Sequence, residues 1–182
     1  MNNSKRTLIC WFTAMILLVT TSGCDWMFPL TSPSRATVDK RLLGYWKAED
    51  PEADGFDIIA FSECAKAGLS LGGAMFMKPL RLNRVPVSQD VVVCWPTRIG
   101  NESYLNVGVY DIEAEKLQTG SKAFFIYKYE ITGDSCTVHS LNSDQKKRIN
   151  SSLGSSYNAA DLLQEISKAT EWKKMATLSR IR

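Results

Sequence analysis

The stretch KAFFIYKYEITGDSCTVHSL, Lys122 to Leu141, reads as two strands around a tight turn. Lys122 to Ile131 and Ser135 to Leu141 flank Thr132-Gly133-Asp134, and glycine supplies the positive φ that a two-residue hairpin turn needs. A Gly133-Asp134 turn places Ile131 opposite Cys136, Tyr129 opposite Val138 and Lys128 opposite His139. Because strand side chains alternate, Ala123, Phe125, Tyr127, Tyr129 and Ile131 share an apolar face. Lys128, Glu130, Thr137 and His139 fall on the other face, so His139 reads as a solvent-facing neighbour of a lysine rather than as a general base.

Working outward from this hairpin, the same pattern recurs upstream. Asp90 to Trp95 is a continuous β-branched run that Pro96 should end, and Gly100-Asn101 turns the chain into Ser103 to Ile112. Leu43 to Glu49 alternates with Gly44, Trp46 and Ala48 on one face, and Asp54-Gly55 turns it into Phe56 to Ser62. Between these hairpins, Cys64 to Pro79 carries Gly68, Gly72 and Gly73, which mark a turn or a bulged strand; no G-K-[ST] follows them, so a phosphate loop is not expected. Lys78, Arg81 and Arg84 read as a solvated edge. Asp50, Glu52, Asp54 and Gly55 imitate the opening of a calcium loop, but Phe61 stands where the closing carboxylate belongs.

Downstream the period changes. Ser143 to Ser152 and Asn158 to Ala169 read as helices, the second with Leu162, Leu163, Ile166 and Ala169 on one face and Asn158 as its cap. Trp172 to Arg182 alternates at Met175, Thr177, Ser179 and Ile181, a closing strand. The fold expected is mainly β: an antiparallel barrel or strongly curved sheet of six or seven strands, with two C-terminal helices and a closing strand.

The beginning of the chain has another character. Lys5 and Arg6 precede an apolar core from Leu8 to about Val19, shorter than the ~20 residues that span a bilayer, and small residues lead to Cys24. This is the pattern of a signal peptide. Thr21-Ser22-Gly23-Cys24 resembles the bacterial lipobox, departing from it at Thr21, where the family prefers Leu, Val or Ile. The resemblance implies cleavage before Cys24, a covalent lipid on Cys24, and Asp25 as the signal for retention in the inner membrane. The expected organisation is a signal peptide over 1–23, lipidated cysteine and tether over 24–38, and a single β-rich periplasmic domain over 39–182. Asp25 to Thr37, with two prolines and several hydroxyl residues, reads as that tether; Trp26, Met27 and Phe28 lie either in the membrane interface or, for Trp26, against the domain.

Gly44-x-Trp46 on the first strand is similar to the lipocalin signature, in which the glycine allows close approach and the tryptophan plugs the barrel end. With the Phe125 to Asn142 hairpin and the helix, helix, strand finish, the chain from Leu42 to Arg182 resembles small bacterial lipoproteins with single β-rich domains, a group without assigned chemistry.

Charge narrows the functional classes. Of the 22 basic side chains, Lys5 and Arg6 leave with the signal peptide, so 20 face 19 acidic ones, a balance with no electrostatic case for nucleic acid. Cys64, Cys94 and Cys136 remain: either one disulfide and a spare thiol, or three buried reduced cysteines. His139 is the single histidine, and no Cys/His cluster suggests a metal. No catalytic residue, metal or cofactor is expected beyond the lipid on Cys24. The partners expected are the membrane, through that lipid, and another envelope protein, with the domain a non-enzymatic binding or adaptor module. The alternative is a lipocalin-like carrier of a small apolar ligand lined by Trp46, Phe125, Tyr127 and Tyr129, residues that otherwise fill the core. An enzyme is the least favoured reading.

Overall fold

Each of the three expected hairpins forms, and a computed structural model shows how they join; it describes residues 26–51, 56–67, 71–80, 91–120 and 123–182. The signal peptide, Cys24, Asp25, residues 52–55 of the calcium-like turn, Gly68, Arg81 and Arg84 lie outside the described residues. In chain order the strands are β1 (Gly44–Ala48), β2 (Ile58–Glu63), β3 (Met75–Leu80), β4 (Val91–Ile99), β5 (Glu102–Asp111), β6 (Lys116–Leu117), β7 (Phe124–Thr132), β8 (Ser135–Leu141) and β9 (Trp172–Ile181). Helices α1 (Ser143–Leu153) and α2 (Ala159–Ser167) separate β8 from β9.

All pairings are antiparallel, and β9 returns to β1 with Trp46 opposite Arg180. The sheet therefore closes into an eight-stranded up-and-down barrel in the order β1, β2, β3, β4, β5, β7, β8, β9, with β6 attached outside along β5. Closure leaves most barrel strands without a free lateral edge; the β3–β4 seam, with two residue pairs, is the exception. Among the described residues nine strands form, against the six or seven and a closing one expected, because β3 and the two-residue β6 carry little alternation of their own.

The β7–β8 register is the expected one: Lys128 pairs with His139, Tyr129 with Val138 and Ile131 with Cys136. Gly133 takes φ +59°, as the turn requires. The turn at Gly100, φ +58°, sets Ile99 opposite Glu102 in the β4–β5 hairpin. Pro96 does not end its strand. Pairing between β3 and β4 is confined to Met75–Cys94 and Phe76–Val93, so at Pro96 one side of β4 is an edge, where a missing N–H breaks no ladder.

Alternation divides the apolar residues into two clusters. The inner one fills the barrel: Trp46, Ile59, Phe61, Met75, Cys94, Leu105, Val107, Tyr129, Cys136 and Leu178 are all buried. The outer one lies on the wall formed by β4, β5 and β7, where Val93, Trp95, Tyr104, Phe124 and Ile126 meet Ile149 of α1 and Leu162 and Ile166 of α2. Asn158 caps α2 through a reciprocal capping box with Asp161. Along β9 the inward residues are Ala176, Leu178 and Arg180, the opposite set from the alternation at Met175, Thr177, Ser179 and Ile181.

The largest departure concerns the segment expected to be a tether. From Trp26 onward it is packed along the outer wall as a strap. Trp26 is 1% exposed and exchanges two backbone hydrogen bonds with Phe124, at 2.7 and 3.0 Å. Leu30 is buried as well, its N–H donating to Asn106 Oδ1 at 2.7 Å. Trp95 Nε1 donates to the Thr31 carbonyl at 2.7 Å, and Gly73 N–H to the Pro33 carbonyl at 3.0 Å. A Cβ at Gly73 would lie 2.2 Å from the Ala36 oxygen, so glycine there lets the strap sit directly on the β2–β3 connection. Proline and hydroxyl content signals irregular backbone; here that backbone is held by partners distant in sequence. Of the two positions considered for Trp26, it occupies the one on the domain.

Candidate functional site

At the end where β1 begins and β9 finishes, Trp46 plugs the barrel. Its indole is fully buried, its Nε1 donates to the Leu42 carbonyl at 2.7 Å, and the Arg180 guanidinium lies 4.3 Å over the ring. Arg180 also donates through Nη1 to the Leu43 carbonyl at 2.8 Å and through Nη2 to the Arg41 carbonyl. Gly44, at φ +112°, permits the backbone conformation with which the strand starts.

Beside the plug, Tyr129 is 3% exposed and its hydroxyl donates to Asp39 Oδ2 at 2.9 Å, while Arg41 pairs with the same carboxylate at 2.7 Å. Burial pushes Asp39 upward, but the hydrogen bonds from Arg41 and Tyr129 together outweigh it and hold the carboxyl below its ordinary value. Burial, then the Asp39 charge, push the Tyr129 phenol well above the usual tyrosine range. A cleft of about 250 Å³ at this end is lined by Arg41, Arg98, Glu102, Lys128, Tyr129 and Glu130. Lys128 is paired with Glu102 and Glu130, and Glu102 also accepts from the Tyr104 hydroxyl. The Lys128 hydrogen bond, followed by that of Tyr104, lowers the Glu102 carboxyl. Among these groups Arg41, Lys128, Asp39 and Glu102 satisfy one another, which suits a polar rim better than a ligand site.

The opposite end differs. There β1, β3 and β5 finish and β4, β7 and β9 begin. Moving along β7 toward it, the inward residues change from buried Tyr129 to half-buried Tyr127 and Phe125. Their rings are parallel, with centroids 6.5 Å apart and planes 9° from each other. Met77 of β3 and Val92 of β4, also half-buried, pack on the same cluster. Inward-pointing apolar side chains that retain some solvent contact form an aromatic mouth, level with the buried Leu105 and Val107, the cross-strand partners of Tyr127 and Phe125.

The four aromatic residues singled out from sequence thus separate. Trp46 and Tyr129 belong to the core, whereas Phe125 and Tyr127 line the mouth. Cys64, Cys94 and Cys136 are free and buried, the three-thiol alternative. Burial pushes the Cys64 thiol to about 11 and Cys136 to about 12, which disfavours the reactive thiolate at neutral pH. His139 is half-buried rather than fully solvent-facing, and its Nδ1 has no hydrogen-bond partner among the described residues. No group of three or more His, Cys, Asp or Glu side chains among the described residues is placed to hold a metal ion.

Three residues escape the sequence reading. Asn106, 0% exposed, accepts from Leu30 N–H and donates to the Trp95 carbonyl at 3.1 Å and Thr97 Oγ1 at 2.8 Å, tying the strap to β4 and β5. A lone amide in the apolar run of β5 was its signal. Arg180 was hidden in an alternation read in the wrong phase, and Asp39 in a segment assigned to the start of the domain without a role. No family model, curated protein or solved structure matches the chain.

Proposed function

We propose that the chain is a membrane-anchored lipoprotein of the bacterial envelope, acylated at Cys24 and retained through Asp25 on the periplasmic face of the inner membrane, whose barrel is a non-enzymatic binding domain. The lipobox-like Thr21-Ser22-Gly23-Cys24 behind a charged and then apolar leader supports the anchor. For the occupant of the domain, the sequence reading placed another envelope protein ahead of a small apolar ligand. One observation favours the ligand: Phe125 and Tyr127 point into the barrel yet are only partly covered, stacked at its mouth. A side chain present only to fill the core is covered, as Tyr129 is. The carrier reading is therefore the better supported form of the binding function, and a flat, weakly polar ligand fits an aromatic lining of this kind.

The experiment is a titration of the soluble domain, starting at Asp25, with the apolar dye N-phenyl-naphthylamine. Saturable fluorescence enhancement that is lost in a folded Phe125→Glu variant supports the carrier reading. Enhancement that rises without saturating, or that survives Phe125→Glu and Tyr127→Ala, sinks it and returns the adaptor reading to first place. Palmitate-analogue labelling of wild type against Cys24→Ala tests the anchor separately.

A further inference from the structure

Alternation along β1 and β9 puts Trp46 and Arg180 inside the barrel and Tyr45 and Ile181 on its outer face. Tyr45 and Ile181 are direct cross-strand partners, 58% and 41% exposed, so two large apolar side chains about 5 Å apart form one uncovered patch. It lies at the plugged end, where β1 begins and β9 finishes. The same end holds cations without counter-ions. Arg98 stands next to the last residue of β4, Lys40 in the segment that leads into β1, and Arg35 where the strap lies on the β2–β3 connection. All three are exposed, and none has an ion-pair partner among the described residues. The carboxylates around them are already engaged: Asp39 with Arg41, Glu102 and Glu130 with Lys128, and Asp134 with Arg182. Glu63, the last residue of β2, is not free either. Positive charge is therefore in surplus beside an exposed apolar pair.

We propose that the plugged end is a docking face for a bilayer surface rich in anionic phospholipid. Tyr45 and Ile181 enter the interface, where a tyrosine ring with its hydroxyl and an isoleucine lose their exposure to water, and Arg35, Lys40 and Arg98 meet lipid phosphates. A bilayer suits this arrangement better than an acidic protein. The three cations sit on three separate segments around the barrel end instead of converging on one pocket, and a plane of phosphates meets them wherever they stand, whereas a protein must match their spacing. Docked in this way, the barrel turns its aromatic mouth away from the bilayer, so the ligand of the carrier reading exchanges with the aqueous phase.

The test uses the soluble domain starting at Asp25, which holds every barrel and strap contact described above and lacks Cys24. It is sedimented with vesicles of phosphatidylcholine alone and of an equimolar mixture with phosphatidylglycerol. Binding should require the anionic lipid and weaken as salt is raised. Arg98→Glu should weaken it about fivefold or more, whereas Lys173→Glu, an equal change of net charge on an exposed residue at the mouth end, should leave it within about twofold. Both side chains are exposed and without ion pairs among the described residues, so neither substitution removes a contact from the fold. Tyr45→Ser combined with Ile181→Ser should weaken the binding while leaving its salt dependence. Binding to neutral vesicles as strong as to anionic ones, no binding to either, or equal losses from Arg98→Glu and Lys173→Glu overturns the docking face. Absence of vesicle binding together with saturable, Arg98-dependent binding of poly-glutamate overturns the lipid assignment and gives the face to an acidic polypeptide. With Cys24 absent and the dye titration reading the opposite end, neither the anchor nor the carrier reading decides these outcomes.

Discussion

Arg180 on the last barrel strand lies over the indole of Trp46 on the first, 4.3 Å from the ring centroid, where the two residues are direct cross-strand partners. The same guanidinium donates to two backbone carbonyls of the segment that enters β1. One side chain thus joins the start of the barrel to its end and covers the residue that plugs it. Arg180→Ala loses the cation–π contact and leaves both carbonyls without their donor, and should cost about 2–3 kcal/mol. Urea unfolding is the measurement. Arg180→Lys, without the planar fork, should recover less than half of the loss; full recovery would show that charge alone suffices.

The strap gives a sharper contrast. For a free tether, Trp26→Ala costs nothing; for a tryptophan 1% exposed it should cost about 3–5 kcal/mol. Thermal denaturation of the soluble domain distinguishes these outcomes without reference to any ligand.

Asn106→Leu keeps the volume and removes the amide. It orphans the Leu30 N–H and the Trp95 carbonyl in a buried setting, so the expected loss is about 2–4 kcal/mol despite the gain in hydrophobicity. Limited proteolysis should then cut between Trp26 and Thr37 before it cuts the barrel, because the strap loses its central attachment first.

Asp39 supplies a pH dependence with a defined sign. Its folded pKa is lowered from 3.8, so the stabilisation it provides is present above that value and is lost as pH falls through the lower, folded one. Glu102, lowered from 4.5, adds to the same acid limb. Asp39→Asn should flatten that limb in a plot of unfolding free energy against pH. Tyr129 works at the other extreme: its phenol is raised from 10.0, so its contribution is complete below pH 10 and is lost at higher pH. Tyr129→Phe removes that contribution to the alkaline limb and weakens the acid one through the lost hydrogen bond to Asp39.

Thiol chemistry provides a count. A chromogenic disulfide reagent should find no fast-reacting thiol among Cys64, Cys94 and Cys136 in the native domain, and three after denaturation without reductant. One thiol after denaturation would mean that two of these cysteines pair.

What was legible in the sequence was local. The β7–β8 register follows from one glycine and an alternating pattern, and the α2 cap from Asn158 and Asp161, three residues apart. Trp46 and Tyr129 announced themselves as core by phase. The strap did not, since its evidence is spread over Asn106, Phe124 and Tyr157, far along the chain, while its own composition imitates a linker. Phase itself failed on β9: the register shift at Val138/His139 and an inward arginine disguise the face that Ala176 and Leu178 occupy. The mouth was half legible, because alternation says that Phe125 and Tyr127 point inward but not how deep the barrel is filled beneath them.

Closure through β1 and β9 also bears on biogenesis. A chain synthesised N-terminus first delivers Gly44–Ala48 early and its seam partner, Trp172–Ile181, late. During that interval β1 presents an unpaired edge, and the strap has neither Phe124 nor Tyr157 to bind. No partial chain can seal itself, so premature termination anywhere before Trp172 yields an open, association-prone sheet rather than a smaller barrel.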